Sequence, residues 1–214
     1  MPDAQPAFQF ADLRQQHEVA QLGMWTFLAT EVLFFGGLIL AYAVYRFGYP
    51  ADFAAAARHT NITIGTANTA ILLTSSFLVA WAVAAARLGA ARAAAILLSF
   101  AALAGLIFLV LKGFEYREEY REHLIPAVNF SFPAEHAKGA ELFFLFYFTA
   151  TSLHGLHVLI GIVVLAAIAR AASRRAYSAR YHAPITVAGL YWHFVDLVGK
   201  FLFALIYLPG RSES

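Results

Sequence analysis

Six ionisable side chains stand inside long apolar stretches of this sequence: Glu31, His154, His157, His193, Asp196 and Lys200. A charge at mid-depth in a bilayer costs about 2.5–3.5 kcal/mol, so such groups normally face other helices and find partners. Glu31, in GMWTFLATEVLFFGG, fits either a carboxylate that carries protons near lipid or a protonated one that ties two helices together. His154 and His157 are three apart and share a helix face. His154 with His193 would supply the two axial ligands of a haem, one from each of two helices. The plainer reading is a pair of packed histidines bonded to carbonyls or hydroxyls, with Gly155 and Gly161 letting helices approach closely. His193, Asp196 and Lys200 make one face of the last apolar stretch polar, and Asp196 with Lys200 has the spacing of an ion pair within a helix. That face also fits a proton relay. Asn68 with Thr69, Thr74, Ser75 and Ser76 reads as a hydrogen-bonding face between helices.

Other chemistries are missing. There is no Cys, which removes disulfides, thiolate metal sites and C-x-x-C-H haem attachment. No phosphate-binding loop, H-E-x-x-H or G-x-S-x-G occurs. Of eight His, only His154, His157 and His193 fall in apolar stretches, too few for a centre of two haems and copper. The net charge of +2 gives no nucleic-acid signal.

The elements that must position these residues are membrane helices. The chain of 214 residues is 61% hydrophobic and 13% charged, where a soluble domain carries about 25% charge. Continuous apolar runs, rather than alternating ones, predict an all-α integral membrane fold of five transmembrane helices. The spans are expected at about 23–46, 62–86, 92–114, 141–169 and 185–208. They form one membrane domain over 22–208, between a polar N-terminal segment (1–21) and a tail (209–214). No cleavable signal peptide is expected, since the first residues are polar and the first apolar run is long enough to stay in the membrane. The 87–92 turn makes the second and third spans antiparallel neighbours. Residues 47–61 read as a loop, and EYREEYREH after the third span reads as a solvated helical stub. The tight turn with Arg87 and Arg92 and the loop with Arg170, Arg174, Arg175 and Arg180 concentrate basic charge near helix ends. This predicts a cytoplasmic N-terminus and an outside C-terminus in a bacterial-type inner membrane. A stand-alone transporter is a weaker fit, because no inverted repeat or pair of broken helices is evident.

Five segments in order carry a family likeness: LGMWTFLATEVLFFGG at 22–37, ANTAILLTSS at 67–76, KGFEYREEYREHLIP at 112–126, FTATSLHGLHVLIG at 148–161 and GLYWHFVDLVGKFLFALIYL at 189–208. Together they closely resemble subunit III of the haem–copper oxidases, the cytochrome c oxidase subunit III family. The resemblance implies a short, five-helix form whose helices splay into two groups around a lipid-filled cleft. It implies no catalytic residue and no haem, copper or other metal on this chain. Haem and copper belong to partner subunits, and phospholipid binds here. Partners would be the catalytic subunit I and subunit II of a proton-pumping oxidase that passes electrons from cytochrome c to oxygen. This chain would stabilise subunit I and support its proton uptake. By motif, Glu31 matches the family's buried carboxylate, and Glu115, His154, His157, Trp192, His193 and Asp196 match recurrent polar or aromatic positions. With Asn68 and Lys200 these polar residues are expected to form an intramembrane network, while Trp25, Phe34, Phe35, Trp192, Gly155 and Gly161 serve lipid or helix packing. Gly199 and Lys200 depart from the family pattern, which has Trp and an aliphatic residue there. Because the family includes proteins associated with nitric oxide reductases, that partner is the alternative.

Overall fold

The computed structural model describes residues 8–174, 177–178, 181–209 and 211. Arg175 and Arg180 of the basic loop, residues 1–7 of the polar leader and residues 210 and 212–214 of the tail lie outside the described residues. Six helices and no strand occur among the described residues: α1 (Leu13–Gly48), α2 (Pro50–His59), α3 (Ile62–Arg87), α4 (Ala91–Arg121), α5 (Ala137–Ser173) and α6 (Ala183–Tyr207). All except α2 are long and apolar enough to cross a membrane.

Local chemistry starts and stops these helices. The Asp12 carboxylate accepts from the Gln15 backbone N–H at 2.7 Å and opens α1, and Asn61 does the same for Ile64 at 3.2 Å at the start of α3. Between α3 and α4, Gly89 takes φ 76°, a backbone conformation that favours glycine. Its N–H reaches Ala86 O at 3.0 Å and the Ala90 N–H reaches Ala85 O at 2.9 Å, which closes the carbonyl end of α3 and turns the chain back within three residues. The second and third spans are thus antiparallel neighbours, as their short connection implied.

α3, α4, α5 and α6 pack in a ring, each against two neighbours. Trp192 of α6 is their common point. Its indole is 1% exposed and its Nε1 donates to Ser75 Oγ of α3 at 3.0 Å, while Ser75 donates to Ala101 O of α4 at 3.1 Å. A Cβ on Gly105 of α4 or Gly161 of α5 would lie 2.7 Å from the indole ring, so only glycine lets these helices close on it. α1 leans on α5 and α6 along one seam formed by Leu28, Phe35 and Tyr42. Most of its remaining surface is exposed and apolar.

Two connections differ from their sequence reading. Residues 47–61 are mostly the helix α2, not a loop. Pro50 at its first turn and five alanines favour helix, and its ten residues span only about 15 Å, about half of a bilayer core. α2 lies against α5, with Phe53, Ala56 and Ala57 buried. Its carbonyl end is closed by the Arg211 guanidinium, which donates to Ala57 O at 3.1 Å, Arg58 O at 3.2 Å and Thr60 O at 2.5 Å. The charged end of α4 is helical to Arg121 as expected, yet it is not a solvated stub. Lys112, Glu115 and Glu119 repeat on one face at three- and four-residue spacing and are buried against other helices.

Candidate functional site

The ionisable groups separate into three places. The first joins α4, α5 and α6. Lys112 Nζ donates to Glu115 Oε2 at 3.0 Å, to Tyr147 OH at 2.8 Å and to Tyr207 OH at 2.8 Å, so all three of its hydrogens are used. Tyr207 in turn donates to Glu115 Oε1 at 2.5 Å. The carboxylate therefore receives a charged and a neutral hydrogen bond, and the pair is neutral overall. Glu115 is buried, 1% exposed. Lys112, Tyr147, Tyr207 and the buried Glu119 were not anticipated. Neither oxygen of Glu119 has a hydrogen bond of normal geometry, although Lys112 lies within electrostatic reach. The signal for Lys112 was its three-residue spacing from Glu115, hidden by the surrounding charges that read as solvated.

The second place joins α1 to α5. Glu31 shares the inward seam of α1 with Leu28 and Phe35, and its Oε2 lies 3.2 Å from His157 Nε2. His157 Nδ1 lies 2.8 Å from Leu153 O. A carbonyl only accepts, so Nδ1 carries a hydrogen. One proton is then shared between Glu31 and Nε2, and the contact is neutral with either owner. The main-chain carbonyl of His157 accepts from Tyr191 OH at 3.0 Å, which binds α6 to the same spot.

The third place lies inside the ring. Asp196 Oδ2 holds Lys200 Nζ at 2.8 Å, the ion pair their spacing allowed. Beside it Asn68, Lys112, His154, Gly199 and Lys200 border a cavity with about 40 Å³ open to the centres of water molecules. Asn68, His154 and Asp196 are 4%, 4% and 3% exposed. Asn68 Oδ1, both ring nitrogens of His154 and Asp196 Oδ1 have no hydrogen-bond partner among the described residues.

Several expectations change here. His154 and His157 do not act as a pair: His157 turns to α1, whereas His154 turns to Phe108 of α4 and the cavity. The idea that both bond carbonyls or hydroxyls holds for His157 alone. His193 does not join Asp196 and Lys200 at the cavity. Its Nδ1 is 2.7 Å from Ser76 Oγ, and it lines a separate groove between α3 and α6. His154 and His193 thus open on different spaces, and the one beside His154 has no room for a porphyrin. Asn68 makes no bond through Oδ1 to another helix, and Thr69 and Thr74 bond back to Gly65 O and Ala70 O of their own helix. Ser75 and Ser76 carry the cross-helix bonds. Gly155 does not mark a close approach, since a Cβ there would meet its nearest atom at 3.8 Å, whereas Gly161 does. Phe35 and Trp192 point inward; Trp25 and Phe34 are exposed. At Gly199 a Cβ would lie 3.0 Å from His154 Nε2, so glycine at this position leaves room for the imidazole.

Among the described residues no group of three or more His, Cys, Asp or Glu is placed to hold a metal ion. The arrangement ties helices with neutralised charge. A family model described as cytochrome c oxidase subunit III matches residues 9–211. The chain is 30% identical over 191 residues to "Cytochrome c oxidase subunit 3" of Thermostichus vulcanus, covering 89% of this chain and 87% of that one. It is 31% identical over 192 residues to the protein of that name in Synechocystis sp., covering 89% and 76%. The Gadus morhua protein of the same name is 31% identical over 194 residues, with 88% and 69% covered. With five apolar helices in a multi-pass arrangement and a match across nearly its whole length, the chain belongs to the cytochrome c oxidase subunit III family.

Proposed function

We propose that this chain is a non-redox subunit of a haem–copper oxidase, which packs on the catalytic subunit, holds phospholipid against it and supports its proton uptake. Subunit II is a further partner in that assembly. The observation that carries the reading is α1. Its inward seam is fixed by Leu28, Glu31, Phe35 and Tyr42, and Tyr42 OH donates to Leu205 O of α6 at 2.7 Å. Its other faces present Leu22, Trp25, Leu33, Phe34, Leu40 and Phe47 outward. A helix with so narrow a seam and so wide an apolar surface suits contact with lipid tails and a neighbouring membrane subunit. Electrons have no place in this reading, and the buried charges hold the scaffold.

The test is on Glu31 in the assembled oxidase. Glu31→Ala removes the partner of His157 and loosens α1. It is expected to shorten the active lifetime during turnover and to lower the phospholipid content of the purified complex. Glu31→Gln keeps a hydrogen bond to His157 and is expected to lie close to the native protein in both readouts. Native lifetime and lipid content in Glu31→Ala would remove the functional claim.

A further inference from the structure

We propose that the cavity inside the α3–α6 ring is a water site: a cluster of about two or three ordered molecules that links the Asp196–Lys200 pair to the Lys112–Glu115 pair. The argument starts from what the walls lack. Asn68 Oδ1 and Asp196 Oδ1 are acceptors without donors, and His154, as a neutral imidazole, offers one donor and one acceptor without partners. All three side chains are more than nine-tenths buried. Buried polar atoms in folded proteins are paired by protein or by ordered water, and here the protein supplies nothing.

Chemistry then selects the occupant. A metal cation would meet Asn68 Oδ1, Asp196 Oδ1 and a His154 nitrogen, but the ammonium groups of Lys112 and Lys200 border the same space and repel it. An anion would find those ammoniums already committed to Glu115 and Asp196, and would face two acceptor oxygens. An acyl chain would leave every orphaned atom unpaired. Water donates twice and accepts twice, so it serves all of them. The volume of about 40 Å³ fits that number of molecules, and the cavity touches both ion pairs. The chain thereby gains a hydrogen-bonded link, within one subunit, from the part-exposed Lys200 to Tyr207, which borders the cavity and whose hydroxyl bonds both Lys112 and Glu115.

The test is a map of the assembled complex in nanodiscs, at a resolution that shows ordered water, for the native chain and for Asn68→Leu. The expected result is two or three separate peaks within hydrogen-bond distance of Asn68 Oδ1, His154 and Asp196 Oδ1. In Asn68→Leu the peak on residue 68 is lost. Overturning results are an empty or collapsed cavity, a continuous tube of density from a lipid or detergent tail, or a lone strong peak with cation coordination. Identical peaks in Asn68→Leu also overturn it. If that variant does not assemble, the native map alone decides between these outcomes. The readout is independent of oxidase lifetime, so the result for Glu31→Ala neither supports nor sinks it.

Discussion

Lys112 shows how one residue can make a costly group tolerable. Its side chain is 9% exposed and that of Glu115 1% exposed, so removing either leaves its partner charged and dry. Breaking one half of a buried pair costs about 3–5 kcal/mol, whereas replacing both halves with neutral groups of similar size is often close to harmless. Lys112→Met is therefore expected to destabilise the chain by about that amount. Lys112→Met combined with Glu115→Gln is expected to recover most of the loss. Denaturation of the four members of this cycle in mild detergent measures it, and equal losses for the single and double variants would refute the account. Only part of this site was legible in the sequence. The spacing of Lys112 and Glu115 is visible on paper. Tyr147 and Tyr207 stand on other helices, and nothing local announces that their hydroxyls meet at one ammonium. The neighbouring Arg117, Glu118 and Arg121 made the segment look solvated, because charge density alone does not reveal which face of a helix turns inward. Asp196 with Lys200 was readable because both partners sit one turn apart on one helix.

At the scale of helices, glycine spacing alone does not locate a contact. Gly155 and Gly161 lie six residues apart on α5, yet only Gly161 faces the indole of Trp192. Gly161→Ala would place a methyl 2.7 Å from ring carbons of an indole held by the Ser75 hydrogen bond and closely approached by Gly105 as well. The expected cost is about 1–3 kcal/mol, read as a lower melting temperature in detergent. Gly155→Ala meets only Leu109 at 3.8 Å and removes a flexible residue from a helix, so it is expected to be neutral or stabilising by up to about 1 kcal/mol. A larger loss at 155 than at 161 would contradict the packing described. The five spans were legible because bilayer length and continuous hydropathy are properties of single segments. α2 was not, because it is short, alanine-rich and buried by a neighbour rather than by lipid. His154 was seen as a candidate, but its cavity depends on Leu72, Gly199 and Phe108 from three other helices.

For the molecule as a whole, five helices long and apolar enough to span would, as an odd number, put the two ends of the described chain on opposite sides of a membrane. α2, the 122–136 connection and Arg211 gather at one end: His136 Nδ1 lies 2.7 Å from Asp52 Oδ1, and Arg211 closes α2. The α3–α4 turn and the rings of His17 and His182, 5.6 Å apart, mark the other end. We propose, from the arginines near Gly89, that this second end is the cytoplasmic one. Because the chain has no Cys, single cysteines report sidedness cleanly. Leu88→Cys is expected to react with an impermeant maleimide only from the cytoplasmic side, and Val128→Cys only from the outside. The reverse pattern would invert the topology. Arg211 also bears on how the chain is made. It follows the last helix in the order of synthesis, whereas the carbonyls it covers belong to the second. Ala57 O is met locally by Thr60 N–H and Oγ1, whereas Arg58 O and Thr60 O emerge long before their guanidinium and wait on water or lipid headgroups while four spans are threaded. α2 can reach its final closure only after the ribosome has passed α6, so a translation product stalled short of that point would present a frayed second helix to membrane quality control.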